Sequence, residues 1–171
     1  MAYERTDLLA ATRGLVSLAQ GMTAILMVGA VVYLIANILL SAAGKPLPTL
    51  GGKLATMDPK AAVIALRIGL IAALIGAAVL MALLREVIRI IDSARAGDPF
   101  VPENARRLRA IGWLLLVFNF CGGATVSAVL QGGITFPSIS FSGVLTVLLV
   151  FVLARIFETG SQMRAELKET V

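Results

Sequence analysis

The sequence predicts an all-α integral membrane protein: a four-helix bundle with both termini cytoplasmic and helices 2–4 extended into the cytoplasm. Three observations carry that reading. Only 15% of the 171 residues are charged and 58% are hydrophobic, whereas a soluble domain carries about 25% charged residues. The charges are segregated: ten of the 25 lie between Arg85 and Arg109, and residues 14–43, 68–84 and 110–154 have none. Lys and Arg divide eleven to four between the two sides of the successive spans, the asymmetry of a cationic cytoplasmic face. The net charge of +5 therefore points to the membrane surface rather than to direct contact with nucleic acid.

The chain reads as a single four-span domain, 1–171. The first span covers about 14–43. Its 30 uncharged residues exceed the roughly 20 needed to cross the hydrocarbon core and the roughly 7–15 of a signal-peptide core, so it is expected to stay in place. The second helix starts with Asp58 as cap and Pro59 at the first helical position, where a missing N–H costs nothing. It runs to Ala96, with Gly97 as terminator and about 61–84 in the membrane. A charged cytoplasmic helical hairpin occupies 85–109. The third helix starts at Pro102, spans the membrane over about 110–131, and ends at Gln131-Gly132-Gly133. The fourth span covers about 143–160 and continues into the C-terminal tail.

The two remaining loops differ. Residues 44–60 hold three prolines and three glycines and read as an irregular external loop. In 131–142, Ile134 and Phe136, then Ile139 and Phe141, alternate with polar neighbours around Pro137. That pattern predicts short extended pieces. Trp113, one turn after Arg109, suits the aromatic belt of the membrane interface.

The hairpin is the most distinctive segment. Glu86–Arg89, Arg89–Asp92 and Asp92–Arg95 are i,i+3 pairs, each contributing only a few tenths of a kcal/mol. Taken alone they describe a solvated helix extension. The turn is more specific: Gly97 permits a left-handed cap, Pro99 drives Asp98 into an extended conformation, and Pro102 restarts a helix. Phe100 is an aromatic in a polar turn and needs cover, either from the base of the bundle or from a partner.

Gly97-Asp98-Pro99-Phe100, then Asn104, then Arg107-Leu108-Arg109-Ala110-Ile111-Gly112-Trp113, resembles the central signature of a bacterial membrane family, domain of unknown function 2975. Ile156-Phe157-Glu158, Leu167 and Thr170-Val171 are similar to that family's C-terminal pattern. The resemblance implies a four-helix integral membrane protein of the inner membrane and implies no catalytic residues. It also implies a partner, because such genes commonly lie beside one for a small helix-turn-helix transcriptional regulator. Asp98, Phe100, Asn104, Arg106, Arg107 and Arg109 are then the expected partner-binding face of a regulatory membrane protein.

Within the spans, Arg67 is the one charge. It lies two turns after Pro59, where its stem can snorkel to the outer interface; an anion or lipid headgroup contact is the sharper reading. Asn37 and Asn119 are amides at membrane depth, suited to interhelical hydrogen bonds of about 0.6 kcal/mol. Together with Arg67 they are the residues that would line a polar route, were the chain a small oligomeric transporter or channel. Gly69, Ala73, Gly76 and Ala77, like Cys121, Gly122, Gly123 and Ala124, form small-residue stripes that let helices approach closely.

No enzyme is expected. The chain has no histidine and no acidic residue within a span, and it carries no metal-binding, phosphate-loop or nucleophile–base pattern. No catalytic residue, metal or cofactor is assigned. The expected partners are membrane lipids, the small cytoplasmic regulator and further copies of this chain.

Overall fold

The computed structural model describes residues 2–44, 58–97, 100–131 and 140–169. Four α-helices follow in order: α1 (Ala2–Ala42), α2 (Pro59–Arg95), α3 (Pro102–Gln131) and α4 (Phe141–Glu169). The fold is all-α. Among the described residues, three segments are long and apolar enough to cross a membrane: Ala10–Ala42, Pro59–Arg95 and Phe141–Glu166. At 1.5 Å per residue, the 41 residues of α1 rise about 60 Å, twice the roughly 30 Å of hydrocarbon in a bilayer.

Local chemistry sets the helix ends. Pro59 opens α2, and the Ala62 N–H donates to the Asp58 carbonyl at 2.9 Å. Gly97 closes α2 in the left-handed region at φ 85°, with its N–H donating to the Ala94 carbonyl. A Cβ would be strained there. Gly44, at φ 71°, follows the end of α1 in the same way. Pro102 opens α3, as the sequence predicts.

α1 begins at Ala2, ahead of the expected span, because Ala2–Arg13 contains no Gly or Pro and is rich in good helix formers. α4 begins at Phe141, and Thr146 Oγ1 already donates back to the Ser142 carbonyl at 2.8 Å. Phe141 is thus helical rather than part of an extended piece. The extended pieces expected between Ile134 and Ile139, and nearly all of the external loop 44–60, fall outside the described residues.

The contacts divide the chain into two compact units. The first comprises Met1–Gly21, Leu80–Leu116 and Phe141–Val171. Its core is a stripe on α3 (Ala105, Leu108, Ile111) together with Val147 and Ala154 of α4. Gly112 permits the close approach of these helices: a Cβ on it would lie 3.0 Å from the Phe151 ring. Phe151 in turn meets Trp113 edge-on, with ring centroids 5.7 Å apart. The second unit comprises Met22–Val79 and Val117–Ser140. In it α2 buries Ala62, Leu66, Gly69 and Gly76, two of them members of the small-residue stripe. The opposite character marks α1, whose Leu18, Met22, Ile25 and Leu26 are all exposed. In water such a surface would be an aggregation patch; in lipid it is the outer wall.

Gly112→Val should overpack the α3–α4 contact and cost about 1–3 kcal/mol. Thermal unfolding in detergent reads this as a lower melting temperature than wild type. Shortening the facing ring in the double variant Gly112→Val/Phe151→Leu should recover part of the loss.

Candidate functional site

In the first unit the charged hairpin is held by a buried amide. Asn104 is 0% exposed and uses both ends of its side chain. Its Nδ2 donates to Ser93 Oγ of α2 at 2.9 Å, and its Oδ1 accepts from an Arg107 terminal nitrogen at 2.9 Å. The same nitrogen of Arg107 donates to the Arg89 carbonyl on α2 at 3.1 Å. This clasp joins the last turns of α2 to the first turn of α3. Burial makes it consequential, since an amide stripped of its partners there pays the full desolvation cost.

A second tie joins α3 to α4. One terminal nitrogen of Arg109 donates to both carboxylate oxygens of Glu158, each at 3.2 Å. Arg155 adds a third hydrogen bond at 3.0 Å. Phe100 sits over α4, its ring centroid 5.1 Å from that of Phe157 and its edge against Gly160. It remains 42% exposed, so the bundle base covers it on one side only. A third tie is Arg13 of α1 to Asp92 of α2 at 3.1 Å. Asp92 therefore pairs across helices rather than with its i,i+3 neighbours, whereas Arg89 does pair with Glu86.

Of the six hairpin residues expected to face a partner, the structure gives Asn104, Arg107 and Arg109 internal bonds and seats Phe100 on α4. Arg106 stays outward, its side chain 75% exposed beside Glu103. Asp98 falls outside the described residues. What the sequence reading missed is an open groove of about 530 Å³ lined by Ala82, Arg85, Glu86, Arg89, Ala110, Trp113 and Leu114. Trp113 is 59% exposed, so the groove offers two arginines and an indole.

In the second unit, Arg67 does not simply run along α2 toward an interface. Its Nε donates to Asn37 Oδ1 of α1 at 3.1 Å, and Asn37 is 0% exposed. Asn119 is half-buried on α3, and no described hydrogen bond joins it to this pair. Tyr33 and Ser41, which the sequence reading passed over, share the helix face of Asn37. Their spacing of four residues on either side was the available signal.

Asn104→Leu should cost about 1–3 kcal/mol by taking one donor from Ser93 and one acceptor from Arg107. Arg106→Ala should change stability by less than about 0.5 kcal/mol, as exposed substitutions do. Parallel melting curves in detergent decide this; equal curves for the two variants would remove Asn104 from the centre of the clasp.

Comparison with curated proteins and with solved structures gives no match. Residues 49–171, more than two thirds of the chain, match the family described as Protein of unknown function (DUF2975), and the chain belongs to that family.

Proposed function

We propose that this is a non-enzymatic regulatory membrane protein whose charged hairpin binds a small helix-turn-helix transcriptional regulator. In this reading it is a multi-pass protein of the bacterial inner membrane, with both termini and the hairpin in the cytoplasm. The distribution of Lys and Arg supports that orientation.

The observation that carries the proposal is the pre-organisation of the hairpin. Asn104, Arg107 and Arg109 spend their hydrogen bonds inside the fold, which fixes the backbone carrying Arg85, Arg89, Arg106 and Trp113. A surface held rigid before contact loses little entropy on binding. The groove beside Trp113 suits an acidic helical segment of the regulator: arginines at its edge for carboxylates, an aromatic wall for apolar side chains. Holding the regulator there would keep it from DNA, and any ligand that alters the face would change the free pool through its differential affinity.

Two experiments test the reading. Crosslinking in native membranes, affinity purification and mass spectrometry should recover one small DNA-binding protein with the chain. Arg85→Glu/Arg106→Glu should reduce that recovery about tenfold while the melting temperature holds. Recovery that is unchanged in the folded double variant excludes this face. For orientation, a Cys121→Ser background with Arg106→Cys should label with an impermeant maleimide only after the membrane is opened. Lys53→Cys should label in intact spheroplasts.

A further inference from the structure

The second unit holds a polar cluster without partners among the described residues. Arg67 Nε donates to Asn37 Oδ1 at 3.1 Å, which fixes the amide orientation and turns Asn37 Nδ2 the other way. That Nδ2, the Tyr33 hydroxyl and the Ser41 hydroxyl are all buried without a hydrogen-bond partner. Tyr33, Asn37 and Ser41 are four residues apart on α1 and so lie on one face, a turn apart. In hydrocarbon an unsatisfied polar group is especially costly, yet three of them lie on the α1 face that Arg67 meets at Asn37. No described hydrogen bond uses the terminal nitrogens of Arg67, which suit a bidentate acceptor.

The acids of this unit do not match its cations. Residues 22–79 and 117–140 contain Lys45, Lys53, Lys60 and Arg67 against a single acid, Asp58. Asp58 is exposed at the start of α2, and no described carboxylate lies within ion-pair distance of Arg67. Neither 45–57 nor 132–139 contains an Asp or Glu.

We infer that Arg67 and Asn37, with Ser41 one turn nearer the helix end, form a binding site for a phosphoryl oxyanion. A guanidinium fork, an amide N–H and a hydroxyl need several acceptor oxygens at once, and a phosphate or phosphodiester group has them. The position suits such a ligand. Ser41 is one residue from the end of α1, and Arg67 lies eight residues into α2, about 12 Å along the axis and within reach of the interface for a long side chain. A phospholipid headgroup and inorganic phosphate present the same chemistry.

The test uses the full chain, delipidated in detergent at constant ionic strength set with chloride. Melting temperature is followed against inorganic phosphate, dioctanoyl-phosphatidylglycerol, and dioctanoylglycerol as the phosphate-free control. A phosphate-bearing probe should raise the melting temperature where dioctanoylglycerol does not. Arg67→Gln should weaken its apparent affinity by about tenfold, as loss of a charged hydrogen-bonding partner does. Ser41→Ala, which removes only a hydroxyl, should weaken it a few-fold. A response to inorganic phosphate identifies a soluble anion; a response to the lipid alone identifies a headgroup. The inference is overturned if neither probe acts, if dioctanoylglycerol matches the lipid, or if Arg67→Gln binds as tightly as wild type. Should Arg67→Gln fail to fold, Ser41→Ala decides, and wild-type affinity in it overturns the site.

Discussion

Uncharged spans have no counter-ions to offer, and that constraint organises this protein. Nine of the ten acidic residues lie in the unit that contains the hairpin and α4; the other unit has Asp58 alone. Every described ion pair falls in the first unit: Arg13–Asp92, Arg89–Glu86, Arg106–Glu103, Arg109–Glu158 and Arg155–Glu158. Elsewhere the chain relies on backbone hydrogen bonds closed within each helix, on small residues at contacts and on lipid against its exposed apolar side chains.

Within the first unit the ion pairs are not the main source of order. All of them are partly exposed, and pairs of that kind contribute about 0–1 kcal/mol each. The Asn104 clasp is buried and satisfied on both sides, so its loss is the larger penalty. This gives the signature segment a physical meaning. Asn104 and Arg107 close the hairpin, Arg109 reaches α4, and Gly112 gives room for Phe151, which backs Trp113. These residues specify how three helix ends meet; recognition falls to the side chains they leave facing outward.

Local rules explain what was legible in the sequence. Pro59, Gly97 and Pro102 each act through one backbone dihedral or one missing donor, so the ends they set are where the sequence places them. The apolar runs declare the membrane helices by length alone. The partnerships were hidden because they join distant positions. Nothing near Arg13 announces Asp92, and nothing near Arg109 announces Glu158. The i,i+3 rule suggested Arg89 and Arg95 as partners for Asp92, but Arg13 on α1 takes that role. Tyr33 and Ser41 carry no signal of their own in the sequence; only the arrival of Arg67 at Asn37 makes their shared face matter.

Asn104 and Asn37 carry the contrast furthest. They are the same residue type and both are 0% exposed. Asn104 spends its amide nitrogen on Ser93 and its oxygen on Arg107. Asn37 spends only its oxygen, on Arg67, and leaves its nitrogen unpaired, as are the Tyr33 and Ser41 hydroxyls a turn away on either side. Burial has the same desolvation cost at both positions, so the difference lies in what offsets it. At Asn104 the offset is intramolecular and the product is a rigid hairpin. At Asn37 the fold supplies half of it, and the remaining donors, with a cation and no acid, define the chemistry of whatever supplies the rest.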